Sequence, residues 1–135
     1  MTRIFVSILS IVTLVLAGSA FLQDYDLAKS IERGKDVYTA NCIDCHMAGG
    51  IDPQGQYPPL AKSDYLQKSA DSLIKVILHG QSGVVLVNGK KYDDQMLGED
   101  FLNDAQIADV LNYIRNSWDN KFPVIIPQQV AALRK

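Results

Sequence analysis

The chain has 135 residues, 47% of them hydrophobic and 21% charged, with a formal net charge of −2. That length and balance fit one globular domain rather than two, and the slightly acidic charge gives no support for nucleic-acid binding, which usually shows a basic face. Only two cysteines are present, Cys42 and Cys45.

Taken in order, the chain opens with Met1-Thr2-Arg3, an apolar run from Ile4 to Leu16, and the small residues Ala17-Gly18-Ser19-Ala20. This is the layout of a secretory signal peptide, read here as residues 1–20, with the working domain at 21–135. The run is short for a membrane span, which needs about 20 apolar residues. An uncleaved N-terminal anchor is the alternative, and after cleavage no stable membrane insertion is expected. The expected location is the periplasm. Cleavage would leave 12 basic against 15 acidic side chains.

From Asp26 to Ala40, Leu27, Ile31, Gly34, Val37 and Tyr38 recur at helical spacing, with Lys29, Glu32, Arg33, Lys35 and Asp36 on the solvent side. Gly34 within the apolar stripe points to a close crossing with another helix. This helix delivers the chain into Cys42-Ile43-Asp44-Cys45-His46, the c-type haem attachment signature. Two thiols at that spacing can each form a thioether with a haem vinyl group, and the next residue, His46, can then ligate the iron. A thioredoxin-type pair would follow a strand, and a zinc site would use more thiolates. Export adds weight, because such a pair would otherwise oxidise outside the cytoplasm. The expected cofactor is one covalently bound haem c.

Residues 47–62 lose periodicity and collect Gly49, Gly50, Pro53, Gly55, Pro58 and Pro59, the mark of an irregular loop. A ligating imidazole needs its second nitrogen held by an acceptor. The Pro58 carbonyl is the first candidate and Pro59 the alternative. Ser63-Asp64-Tyr65-Leu66 reads as a short helical turn, and Ser69 caps a helix with Leu73, Ile74, Ile77 and Leu78 on one face, ended by Gly80. Asn88-Gly89 between Val84–Val87 and Lys90–Tyr92 predicts a small β-hairpin at 84–92. Asn103 and Gln106 form a capping box opening the last long helix, with Ile107, Val110, Leu111, Ile114 and Trp118 on one face. Asn120 and Pro123 stop it, and Pro127 starts a final short helix.

After the signal, only Met47 and Met96 could supply a soft second axial ligand. Met47 adjoins His46 and cannot reach the other side of a haem, so Met96 is the preferred sixth ligand. His79, at a helix end, is the weaker alternative.

Gly34-x-x-x-Tyr38, Cys42-x-x-Cys45-His46, Tyr57-Pro58-Pro59-Leu60, Val87-Asn88-Gly89 with Tyr92, Met96, and Tyr113-Ile114-Arg115-Asn116-Ser117-Trp118 together resemble a class I (mitochondrial-type) bacterial monohaem cytochrome c. The likeness is to the small cytochrome c domains associated with periplasmic dehydrogenases and nitrite reductases. It implies an all-α fold of four to five helices around one haem, with Gly34 and Tyr38 crossing the last long helix near Tyr113 and Met96 as distal ligand. Relatives commonly carry proline after that methionine. Leu97 stands there in this chain, which predicts a less rigid methionine loop.

The expected function is single-electron shuttling, without bond-making catalysis, through a haem with His46 and Met96 as axial ligands. The redox partner would be a periplasmic dehydrogenase, a reductase or a terminal oxidase. The charged rim of Asp93, Asp94, Glu99 and Asp100 beside Lys90-Lys91 is a candidate docking patch. Two other readings stand beside this one: a haem-based sensor with a labile sixth site, and an electron-entry subunit held permanently by a dehydrogenase.

Overall fold

The computed structural model describes residues 25–134, so the segment read as a signal lies outside the described residues. Asp26 accepts a hydrogen bond from the Lys29 N–H at 3.1 Å and starts the first helix, α1 (Leu27–Asn41). Its buried residues are Ser30, Gly34 and Tyr38, while Leu27, Ile31 and Val37 are only half-buried. The stripe is narrower than the apolar periodicity implies because the helix α4 (Asp104–Arg115) crosses too closely for larger residues. A Cβ on Gly34 would run into the Asp109 carbonyl and sit 2.9 Å from Tyr113 Cβ.

Polar groups ring this crossing. The Asp109 carboxylate accepts from Ser30 Oγ at 2.6 Å, from Arg33 Nε and Nη2 at 2.7 Å each, and from Tyr25 Oη at 2.9 Å. Asn112 Nδ2 donates to Ser30 Oγ at 2.9 Å and to the Ile125 carbonyl at 2.7 Å, and its Oδ1 accepts from the Ile125 N–H at 2.8 Å. Arg33, expected on the solvent side, therefore reaches across to the second helix.

The attachment motif forms one helical turn, α2 (Ile43–His46), followed by the irregular loop and a 3-10 turn at Asp64–Gln67. Ser69 caps α3 (Ala70–His79) by accepting from the Ser72 N–H at 3.2 Å, and Leu73, Ile74, Ile77 and Leu78 are all buried. Strands β1 (Val85–Val87) and β2 (Lys90–Tyr92) pair antiparallel around Asn88 and Gly89, both at positive φ as a type I′ turn requires. Asn88 and Asp64 exchange backbone-to-side-chain hydrogen bonds of 2.8 and 2.9 Å, and Lys90 Nζ donates to the Gly55 carbonyl at 2.7 Å. The hairpin is thus clasped to the loop before it.

The capping box forms as expected, with Asn103 Oδ1 accepting from the Gln106 N–H and Gln106 Oε1 accepting from the Asn103 N–H, each at 2.9 Å. Helix α4, however, ends at Arg115, before Trp118. Asn120 Nδ2 takes the Ile114 carbonyl at 2.9 Å and the Leu60 carbonyl at 2.9 Å, while its Oδ1 accepts from the Lys62 N–H at 3.0 Å. One side chain thereby caps the helix and ties it to the loop after α2. Asn120→Ala should cost ~2 kcal/mol, since three hydrogen bonds at ~0.5–1.5 kcal/mol each are lost from a half-buried site. Urea unfolding of the two proteins measures it. The short helix α5 (Pro127–Leu133) closes the fold, and Arg134 Nε meets Asp104 at 2.6 Å.

Candidate functional site: an apolar cavity between two sulfur-bearing segments

Cys42 and Cys45 lie three residues apart on one turn, which closes with the His46 N–H donating to the Cys42 carbonyl at 3.0 Å. Met47, at φ 60, then turns the chain away, and Tyr38 Oη donates to its carbonyl at 2.7 Å. Trp118 Nε1 donates to the Ala48 carbonyl at 3.3 Å, and the Trp118 ring comes within 2.8 Å of where a Cβ on Gly50 would stand. Tyr38, Tyr113 and Trp118 pack together at 5.3–5.4 Å between ring centroids. This aromatic cluster anchors the base of the loop against the α1–α4 crossing. The Gly50 carbonyl closes the loop by accepting from the Leu60 N–H at 2.8 Å and the Ala61 N–H at 3.0 Å.

Inside the loop, the Asp52 carboxylate accepts from the backbone N–H groups of Gln54, Gln56 and Tyr57 at 2.9, 2.8 and 3.1 Å. Those bonds, that of Gln54 foremost, hold its pKa below the usual carboxylate range. The loop so folded brings the Pro58 carbonyl to 3.2 Å from His46 Nδ1. A carbonyl only accepts, so Nδ1 carries the proton and Nε2 keeps a free lone pair. Burial keeps the imidazole neutral by lowering its pKa, partly offset by this hydrogen bond. Asp52→Ala should loosen the loop. Because the folded-state pKa is depressed, the stabilisation by Asp52 is complete above ordinary carboxylate pKa values and is lost as pH falls through the depressed one. The melting-temperature gap between wild type and Asp52→Ala should therefore be open at neutral pH and narrow in acid.

The Cys42, Cys45 and His46 segment faces a cavity of ≈ 330 Å³. Tyr57, Pro58, Pro59 and Leu60 form one wall, Leu73 and Ile77 of α3 with Leu111 and Ile114 of α4 form another, and Val85, Val87 and Tyr92 bring the hairpin in as a third. Met96 lines the same space from the segment after the hairpin. His79 is exposed and neither it nor Met47 lines the cavity. Glu99, read from the sequence as a rim charge, stands in the cavity wall, where burial raises its carboxyl pKa. Lys90 is likewise engaged, with the Gly55 carbonyl.

The donor chemistry distinguishes among the possible groups. Both cysteines are free, and burial, chiefly, with Glu99 and Cys45 adding, pushes the Cys42 thiol up to about 12. A redox dithiol or zinc site works through thiolates, and among the described residues no three His, Cys, Asp or Glu side chains converge as a metal cage. A flat apolar ring with two vinyl groups on one edge fits an apolar cavity that carries two free thiols, one imidazole with its Nε2 lone pair available and one thioether. The hairpin walls, the Asp52 cage and the Asn120 clasp were not read from the sequence. Asp52-Pro53 ahead of Gly55 carried a usable turn signal for the second of these.

The family pattern for cytochrome c matches residues 31–118. The chain is 34% identical to a cytochrome c-552 of Thermus thermophilus over 138 aligned residues, covering 86% of this chain and 93% of the relative. It is 39% identical over 100 residues to the cytochrome c subunit of a quinone alcohol dehydrogenase from Gluconacetobacter polyoxogenes, covering 67% of this chain and 19% of that subunit. It is 34% identical over 109 residues to the cbb3-type cytochrome c oxidase subunit FixP of Bradyrhizobium diazoefficiens, covering 73% of this chain and 36% of that subunit. With its helices, hairpin and cavity arranged as described, the chain belongs to the cytochrome c family, as a class I monohaem member carrying covalently bound haem c.

Proposed function

We propose that the protein is a periplasmic single-electron carrier in which Cys42 and Cys45 tether the haem, His46 and Met96 ligate its iron, and the Pro58 carbonyl orients His46. The observation that carries this reading is that His46 and Met96, from opposite halves of the chain, line one apolar cavity. Haem bound there supplies an iron that gains and loses one electron. The protein's own share is positional and dielectric. The Asp52-braced loop fixes the imidazole, and the aliphatic walls exclude water. A methionine sulfur in place of a stronger donor favours the reduced state and raises the potential.

Cys45 is exposed while lining the cavity, as is Leu97, so electrons would enter and leave at this mouth. The relatives among dehydrogenase and oxidase subunits support a partner of one of those two kinds. No helix of the described residues is long and apolar enough to cross a membrane, and export rests on the reading of residues 1–20. Carbon monoxide added to the reduced holo-protein tests the closed coordination. Exclusion of the gas supports electron transfer, whereas rapid stoichiometric binding would favour a sensor.

A further inference from the structure

We infer that the methionine arm is positioned by the C-terminal end of α3, through Gly80, Gln81 and Gly98, and that this brace takes the place of a proline after Met96. The inference rests on Met96 being the iron ligand. Four observations carry it. Gln81 and Met96 exchange two backbone hydrogen bonds of 2.9 Å, forming an isolated antiparallel bridge just beyond the helix end. The Glu99 N–H donates to the Ile77 carbonyl at 2.7 Å, so the arm satisfies one of the carbonyls that a helix leaves unpaired in its last turn.

Between these two attachments the chains touch backbone to backbone. A Cβ on Gly80 would meet the Met96 carbonyl and lie 2.9 Å from the Gly98 nitrogen. A Cβ on Gly98 would lie 2.6 Å from the Leu78 carbonyl oxygen and 2.9 Å from the His79 carbonyl carbon. Glycine thus faces glycine where the arm passes over the helix. Leu97, by contrast, is 70% exposed. It stands at the cavity mouth and neither attachment of the arm runs through it, so position 97 can lack proline without freeing the arm. The expectation of a less rigid loop, drawn from Leu97 alone, misses this brace because it depends on residues on both sides of the hairpin.

Helix α3 also walls the cavity through Leu73 and Ile77. The sulfur donor and that wall therefore move as one body. Opening the sixth position would require breaking the Gln81 bridge and the Glu99 hydrogen bond together.

The test uses the holo-protein and three variants, read by the iron–sulfur charge-transfer absorbance of the oxidised form, carbon monoxide binding by the reduced form, and far-ultraviolet circular dichroism. Gly98→Ala should keep covalent haem and helix content but lose most of the charge-transfer band, with apparent carbon monoxide affinity rising by about tenfold or more as the open fraction grows. Leu97→Pro should leave band and affinity unchanged, since Met96 before it is paired in a β-bridge, the pairing an extended residue makes and proline favours in its predecessor, and both attachments of the arm lie outside position 97. A folded Gly98→Ala protein with the full band would overturn the brace. If Gly98→Ala does not fold, Leu97→Pro decides alone: an unchanged band supports the brace and a clearly stronger one overturns it. Met96→Ala separates the two claims, because a band that survives that change refutes the ligand assignment itself.

Discussion

A Gly34→Ala protein should lose ~3 kcal/mol of stability, a large part of what a small domain holds in reserve. In an isolated helix the same change would gain ~1 kcal/mol, so the sign of the result reports on the crossing. The added methyl has nowhere to go. It meets the backbone carbonyl of Asp109 and lies 2.9 Å from Tyr113 Cβ, neither of which is the movable end of a flexible side chain. Relief requires α1 and α4 to separate, and separation pulls on every bond that spans them. Those include the Ser30 and Arg33 hydrogen bonds to Asp109 and the Tyr38–Tyr113 ring contact, beside the Tyr38 bond that anchors the loop after His46. Haem incorporation should fall along with the urea midpoint. Wild-type stability in this variant would show that the helices can spread without loss.

The second large effect is expected at Asp109. Its side chain is 4% exposed against 53% for Arg33, so the ion pair is buried on one side only. Breaking a wholly buried pair costs ~3–5 kcal/mol. Here the guanidinium can recover water, which reduces the expectation for Asp109→Ala to ~2–3 kcal/mol. Most of that cost is the stranding of the Ser30 O–H, because its other partners, Asn112 Nδ2 at 2.9 Å and Tyr25 Oη at 3.3 Å, both donate to the oxygen. Asp109→Asn keeps the shape and an acceptor but not the charge, and should cost about half as much. Equal losses for the two variants would show that charge, not hydrogen bonding, dominates the crossing.

Features written in local chemistry were legible in the sequence. The helices are marked by apolar period and by caps at Ser69 and Asn103, and the hairpin by Asn88-Gly89, because both signals act within a few residues. The cofactor followed from the spacing of Cys42, Cys45 and His46, which covalent attachment itself dictates. What depended on partners distant in the chain was read less well. Trp118 continues the spacing of Ile114, yet the helix has ended, since Asn120 captures the Ile114 carbonyl and Trp118 turns back at φ 52 onto Gly50. Arg33 shares a polar face with Lys29 and Asp36, and only the other helix reveals Asp109. Asp109 and Asn112 are buried polar residues that hydropathy places on the surface, and each is tolerated because its hydrogen bonds are supplied from α1 or from Ile125.

The central claim is a haem iron closed by His46 on one side and Met96 on the other. The reduction potential of Met96→Ala against wild type, measured together with the spin state, tests it most directly. A fall of at least ~0.1 V is expected, a modest share of the ~0.8 V range that axial ligands span, with loss of the low-spin spectrum. An unchanged potential in a protein that stays low-spin would contradict it.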